Sequence, residues 1–350
     1  MPNEATHNGT VIELRFTSRV LRNNALCDPH DRAVPVYLPP GYDAVERRYP
    51  VLFDLAAYTS SGPAHLNWQN FGENLPTRLD RLIGSGKMSP CIVVLPDCYT
   101  RLGGNQYVNS SAMGRYGDYV SLELVPFIDG SLRTKAAREH RGLFGKSSGG
   151  FGALHLAMAY PDVWGAAASH AGDAYFDFVY RSEWPAALTH LQRFAPRRNK
   201  RVPAGHDDGR VAAFLRHCQE TESPSGTDIM TLMLVCMAAS YDPSPRAPLG
   251  FALPFDLNDG RLLNQRWNRW LAFDPVTQAR SNRKALQRLR ALFIDCGRWD
   301  QFHIHYGARQ LHAELQRLGI THRYEEFDGT HSNINHRLDI SLPYLARNLR

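Results

Sequence analysis

Gly145-Lys146-Ser147-Ser148-Gly149 places a serine between two glycines, each two residues away. A serine on a sharp strand-to-helix turn projects its hydroxyl outwards, and glycines at those positions let the adjoining backbones pass without collision. The flanks suit such a turn. A short strand, Gly142–Phe144, precedes it, and a helix with apolar residues at Phe151, Leu154, Ala157 and Met158 follows, with Pro161 just past its end. The chemistry indicated is nucleophilic attack by Ser147. A serine hydroxyl is scarcely ionised near neutral pH, so it needs a base, and the base needs a carboxylate to fix its tautomer and steady its charge. The rival reading is a phosphate loop, because Gly145-Lys146-Ser147 ends like a Walker A sequence. That loop requires glycine five positions before Gly145, where His140 stands. The phosphate loop fails.

With a nucleophile on this kind of turn, acid and base follow downstream in the order Ser, Asp or Glu, His. Ala291–Asp295 is an apolar strand, and Asp300 lies in the loop beyond it, where a carboxylate can reach an imidazole. Asp295 at the strand end and Asp173 after the strand Gly165–Ser169 are the alternatives. For the base, the strand starting at Tyr324 runs into the turn Asp328-Gly329-Thr330-His331. His331 therefore falls at a strand's C-terminal edge, where ligands meet open α/β sheets. His336 is the weaker candidate, and His170 precedes the acid and reads as a hydrogen-bonded residue at its strand end. A metal site is also weighed, because the chain has 15 histidines. His303-Ile304-His305 would put two imidazoles on one face if extended, but no H-E-x-x-H or paired-cysteine partner appears. His312-Ala313-Glu314 resembles a zinc-deaminase opening without its matching P-C-x-x-C. No metal is expected.

These residues require a scaffold. Short apolar runs alternate with helix-like stretches, which predicts an α/β protein with a doubly wound, mostly parallel sheet. Candidate strands are Val11–Phe16, Ala33–Leu38, Pro50–Leu55, Cys91–Leu95, Gly142–Phe144, Gly165–Ser169 and Ala291–Asp295. Pro76–Gly84 reads as a helical crossover between the third and fourth. The alternation breaks after Asp173 and resumes at Leu286. Residues 174–285, with helix-like pieces around Trp184–Phe194, Val211–Glu220 and Leu262–Ala272, are therefore expected to form a cap-like insertion within one domain spanning 1–350. Its aromatics (Tyr175, Phe176, Phe178, Tyr180, Trp184, Trp267, Trp270) would either line a pocket or form the insertion's own core.

Composition narrows the classes. The 350 residues are 43% hydrophobic and 21% charged, as in ordinary globular proteins and unlike disordered or fibrous ones. Net charge is +6, but the basic residues are dispersed except in Arg197-Arg198-Asn199-Lys200-Arg201, read as a solvated loop between prolines. Nucleic acid is not an expected partner. The longest apolar run, Leu232–Ala239, is far short of the roughly 18 residues that cross a bilayer, so no membrane span is expected. The first residues carry neither a basic nor an apolar leader segment, and the 6 cysteines are scattered. A cytoplasmic location, by default, and reduced thiols are the expectation.

Beyond these residues, the chain resembles the putative-esterase family of α/β-hydrolases, which includes esterase D, enterochelin esterase and feruloyl esterases. The likeness rests on Arg32–Tyr42, Tyr49–Phe53, Ile92–Asp97, Gly104–Ser110, Leu124–Ile128, Gly145–Leu154 and the Asp300 and His331 segments. It covers most of 10–173 and 286–348 and is weak between. The resemblance implies hydrolysis of a small-molecule ester through an acyl-serine, with no cofactor, by Ser147, His331 and Asp300. It also implies two backbone oxyanion donors, the N–H groups of Tyr58 and Ser148. Where the family usually carries His-Gly, this chain has Ala56-Ala57, which leaves Ala57 as an alternative donor. Transfer of the acyl group to an alcohol, or a non-catalytic binding role on the same fold, are the competing functions. A homo-oligomer is compatible with the sequence.

Overall fold

The computed structural model describes residues 8–197 and 202–350. Residues 1–7, which carry most of the leader reading, and residues 198–201 of the basic run lie outside the described residues. The inner strands form where apolar residues cluster between turn signals, and the two edge strands carry more polar residues: β1 Thr10–Thr17, β2 Asp31–Leu38, β3 Val51–Leu55, β4 Ile92–Val94, β5 Arg141–Lys146, β6 Ala166–His170, β7 Ala291–Gly297 and β8 Arg323–Phe327. They make one sheet in the order β1-β2-β4-β3-β5-β6-β7-β8. β1 and β4 run antiparallel to β2, and every pair from β4 to β8 is parallel. Every residue of β3 is buried, as a strand covered on both faces requires. β1, at the edge, alternates between exposed and half-buried positions.

Helices cover both faces. On one lie α1 (Leu75–Gly84) and the C-terminal α10 (Leu338–Asn348), packed on Leu52, Phe144, Ala168 and Phe293. Asn74 opens α1 by accepting the N–H of Thr77 at 3.0 Å. On the other face are α2 (Val125–Ser131) and α3 (Ser148–Ala159), over Val51, Phe53, Leu143 and Leu292. Here Phe53 meets the buried Trp164 edge-on, with ring centroids 5.1 Å apart.

Residues 174–285 lie between β6 and β7 and are largely helical: α4 Trp184–Leu191, α5 Arg210–Glu220, α6 Gly226–Tyr241, α7 Asn264–Leu271 and α8 Pro275–Ser281. Asp274 joins the two ends of this excursion by accepting the N–H groups of Tyr175 (3.1 Å) and Phe176 (2.7 Å). Helix α6 had no counterpart in the sequence reading. It is buried along most of its length, so it lacks the polar–apolar stripe that reveals a surface helix. Its readable signal was the capping box of Ser225 and Asp228.

The two readings of the insertion's aromatics part here. Phe176, Tyr180, Trp184 and Trp270 are fully buried and Trp267 nearly so, and Tyr180, Tyr241, Trp184 and Trp267 all pack round Trp270. These five belong to a buried cluster that the segment shares with the sheet domain, Phe176 packing on Phe151 of α3 with Ala171 and Ile304 in the same cluster, and of the seven only Phe178 and Tyr175 reach the surface. Trp270→Ala is accordingly expected to cost about 3–5 kcal/mol of stability, read by denaturant unfolding. A variant as stable as the parent but altered in its choice of substrate would instead put Trp270 on a pocket wall. No helix among the described residues is long and apolar enough to cross a membrane. All six cysteines are free thiols.

Candidate active site

Ser147 joins β5 to α3 with φ 55° and ψ −123°, a positive-φ conformation that side-chain-bearing residues rarely hold. The surrounding glycines make it possible. A Cβ on Gly149 would lie 1.8 Å from the Leu55 carbonyl oxygen at the end of β3, and one on Gly145 would lie 2.5 Å from that same oxygen. The turn is thus pressed against the neighbouring strand, with its hydroxyl left on the far side. The Ser147 N–H donates to the His170 carbonyl at 2.9 Å and so continues the β5–β6 ladder up to the turn.

Past the end of β7, Asp300 accepts a hydrogen bond from the Phe302 N–H at 2.9 Å, and its other oxygen lies 2.7 Å from Nδ1 of His331. Both side chains are buried, and Phe302 stands edge-on to the imidazole at 4.8 Å. The His331 backbone N–H is tied to Gln301 Oε1 at 3.0 Å, so the loop after β8 is held to the loop after β7. Burial pushes the Asp300 carboxyl up. The bond and charge of His331, with the amides of Phe302 and Ile304, outweigh that and hold it below the ordinary carboxylate value. Among the described residues Nδ1 is the His331 ring nitrogen with a hydrogen-bond partner, which leaves Nε2 available.

The three carboxylates weighed as partners of the base have separate places. Asp300 bonds His331. Asp295 is fully buried and bonds Nδ1 of His170 at 2.7 Å and Nε of Arg337 at 2.7 Å, while Nε2 of His170 meets the Ser341 hydroxyl at 2.8 Å. This is a second Ser–His–Asp constellation, but Ser341 is fully buried and no substrate can reach it. Asp173 faces the serine turn itself. It accepts from the Ser147 hydroxyl at 3.3 Å, from the Ser148 hydroxyl at 3.4 Å and from the Tyr180 hydroxyl at 2.6 Å. The Ser147 hydroxyl is therefore turned to Asp173 in this structure, and no hydrogen bond joins it to His331.

Asp173 is buried, and burial raises its carboxyl above the ordinary value despite the Tyr180 bond and the nearby His331. A carboxyl with a raised folded-state value contributes stability that is full below the unfolded value and falls as pH rises through the folded one. Asp173→Asn should therefore gain in melting temperature relative to the parent as pH is taken from 4 to 8. An unchanged difference across that range would show that the buried carboxyl carries no such penalty.

Ser148 is held in turn by Gln106, whose Nε2 donates to the Ser148 hydroxyl at 2.6 Å, and Gln106 by Tyr241, whose hydroxyl donates to Gln106 Oε1 at 3.0 Å. Nothing in residue type or spacing had pointed to either, although Gln106 lies in one of the segments that carry the family likeness. Tyr58 sits at the second position of a turn closed by the Ser60 N–H and the Ala57 carbonyl at 3.0 Å, and its hydroxyl donates to the Leu102 carbonyl at 2.7 Å. The Tyr58 N–H has no intramolecular acceptor among the described residues, and that of Ser148 opens α3, where helical N–H groups lack a partner.

The remaining histidine candidates lie elsewhere. His336 is exposed in a single 3-10 turn, Asn335–Arg337, before α10. His303 and His305 are not on an extended segment: His303 is left-handed at φ 61°, and His305 falls in the first turn of α9 (Ile304–Arg317). His312 Nδ1 pairs with His322 Nε2 at 2.7 Å, and Glu314 is taken up by Arg280 and Arg317. Among the described residues no three His, Cys, Asp or Glu side chains are grouped to hold a metal ion.

Comparison with known proteins agrees with this architecture. An esterase of Mycobacterium tuberculosis is 34% identical over 147 residues, covering 40% of this chain and 29% of its own length. An endo-1,4-beta-xylanase/feruloyl esterase of Xylanibacter ruminicola is 30% identical over 134 residues, 37% of this chain and 18% of that protein. The chain thus spans less than a third of either curated relative. Among solved structures, a ferulic acid esterase aligns with a TM-score of 0.60 at 20% identity, covering 98% of this chain and 99% of its own. An S-formylglutathione hydrolase of Agrobacterium tumefaciens aligns with a TM-score of 0.58 at 18% identity, over 98% and 97%. The fold is that of the α/β-hydrolase esterases. The family model described as "Putative esterase" matches residues 27–341, and this chain belongs to that family.

Proposed function

We propose that the chain is a serine hydrolase of carboxylic esters, with Ser147 as nucleophile, His331 as base and Asp300 as the acid that orients it. The observation that carries the reading is the strained Ser147 turn, φ 55°, together with an imidazole whose Nδ1 is held 2.7 Å from a buried carboxylate and whose charge acts on Asp173, the residue that Ser147 bonds. In this scheme the Ser147 hydroxyl turns from Asp173 to Nε2 of His331, which takes its proton as the oxygen attacks the ester carbonyl. Asp300 keeps the Nδ1 proton in place and steadies the imidazolium. The N–H groups of Tyr58 and Ser148 meet the negative oxygen, donors whose alignment before reaction is what lowers the barrier. His331 then returns the proton to the leaving alcohol. A water attacks the acyl-serine by the same route in reverse and frees the acid.

Family membership and the likeness to ferulic acid esterase and S-formylglutathione hydrolase structures support ester hydrolysis. No feature of the site favours an alcohol acceptor over water or a non-catalytic role. The test is a fluorophosphonate probe followed by peptide mapping. Stoichiometric adduct at Ser147, together with release of p-nitrophenol from p-nitrophenyl acetate, is the expected result. A folded protein that takes up no probe, or takes it up at Ser148, overturns the assignment.

A further inference from the structure

Lys146, immediately before the nucleophile candidate, has no role in the scheme above. In β5 it has the same alternation as Phe144, so it faces α1 and α10, and it lies opposite His170 in the sheet register. There it lines a cavity of about 300 Å³, together with Ala57, Tyr58, Asp54, His65 and His170. The cavity thus begins at the loop that carries Tyr58, one of the two proposed oxyanion donors, and reaches Gly145 and Lys146 at the end of β5, just before the serine turn.

The charges around it are paired, with one exception. Asp54, buried in β3, bonds Nδ1 of His65. Arg78 pairs with Asp339 and Glu73, and Glu73 is also held by Arg81. His170 is held by Asp295 and Ser341. Among the described residues the Lys146 ammonium has no hydrogen bond and no carboxylate within ion-pair distance. Burial holds its pKa below the ordinary lysine value, opposed by the more distant Asp300. His65 and Lys146 line the same cavity; the Asp54 charge raises His65 above the ordinary imidazole value, and the Lys146 charge opposes that rise. Among the described residues Nε2 of His65 has no hydrogen-bond partner. A half-buried cation without a counter-ion is short of stabilisation that an incoming anion can supply.

We infer that this cavity is an anion subsite of the active site: the ester substrate carries a carboxylate, which the Lys146 ammonium receives with His65 Nε2 beside it. The inference rests on the esterase reading and deepens it by naming the substrate class. A neutral ester would leave the ammonium in the cavity unpaired. A carboxylate on the acyl chain or on the alcohol would pair it while the ester carbonyl lies at Ser147. Hydrogen bonds between charged groups are worth enough to change discrimination by tenfold or more.

The experiment uses the full chain and two matched ester pairs. Mono-4-nitrophenyl adipate against 4-nitrophenyl hexanoate puts the carboxylate on the acyl side, and 4-acetoxybenzoate against phenyl acetate puts it on the alcohol side. The parent should favour the anionic member of at least one pair in kcat/KM. Lys146→Met should reduce that anionic-to-neutral ratio at least tenfold, and Lys146→Arg should restore much of it. Being a ratio on one protein, it is insensitive to partial unfolding. Binding of free adipate by calorimetry is read separately and needs no turnover: the parent should bind it and Lys146→Met should not. If neither ester of a pair turns over and Ser147 takes up no fluorophosphonate, the esterase reading fails while adipate binding still decides the subsite. A parent that prefers the neutral member of both pairs, or a ratio and adipate affinity unmoved by Lys146→Met, overturns the inference.

Discussion

Ser147→Ala is expected to lower kcat for ester hydrolysis by about 10⁶, the scale seen when the serine of a Ser–His–Asp set is removed. The loss should be so large because the remaining groups depend on that oxygen. Without it His331 has no proton to take and the oxyanion donors have no tetrahedral centre to meet. What survives is the modest acceleration, about 10³–10⁴ over water, that bound and polarised substrate retains. Ser148→Ala is the matched control. Its side chain bonds Gln106 and Asp173, whereas its proposed contribution is a backbone N–H that alanine preserves. It should keep most of the parent's activity and its probe adduct at Ser147. Equal damage from both substitutions, with both variants folded, would mean that the turn as a unit and not the Ser147 oxygen was being measured.

Asp300→Asn is expected to lower kcat by about 10⁴ with the fold retained. An amide at that position can offer its N–H₂ to Nδ1 and so stabilise the wrong tautomer, which leaves a proton on Nε2 where the base must be free. The charge that steadies the imidazolium is lost with it. Asp295→Asn separates this from a general effect of removing a buried carboxylate. Asp295 compensates the buried Arg337 and also bonds His170. Removing one member of such a buried pair costs about 3–5 kcal/mol, so that variant should melt at lower temperature yet turn over esters normally while folded. If Asp295→Asn or Asp173→Asn proves to be the silent-fold, low-kcat variant and Asp300→Asn does not, the proposed acid is the wrong one.

Some of this was legible in the sequence because its causes are local. The requirement for glycine at 145 and 149 comes from the Leu55 carbonyl pressing on the turn, and it left its mark in the five residues around Ser147. The inner strands of the parallel sheet are short apolar runs because both faces are covered, whereas the edge strand β8 (Arg323–Phe327) is mostly polar and half-buried; each predicted strand has a counterpart within a few residues of its predicted limits. Helix α6 escaped for the opposite reason: burial on nearly all sides erases periodicity, and only its cap remained as a signal.

Partner choice was a different matter. Asp173, Asp295 and Asp300 each follow or end a strand of similar type, and sequence order cannot tell which imidazole each one meets. The sheet register decides it. His170 lies directly opposite Asp295 across β6 and β7, so those two side chains meet inside the sheet layer and are sealed there by α10. Asp300 is carried clear of the strand into the loop, where the turn after β8 brings His331 to it. Asp173, at the end of the turn after β6, comes down on the serine instead. The same holds for Lys146. As a residue in a motif it suggested only a phosphate loop that the spacing refuted. Its position as a cation without a counter-ion among the described residues follows from where the carboxylates round the cavity find their partners: Asp54 on His65, Glu73 on Arg78, and Asp339 on the same Arg78 from 261 residues away. Charges are paired through space, and that pairing is set by the tertiary fold.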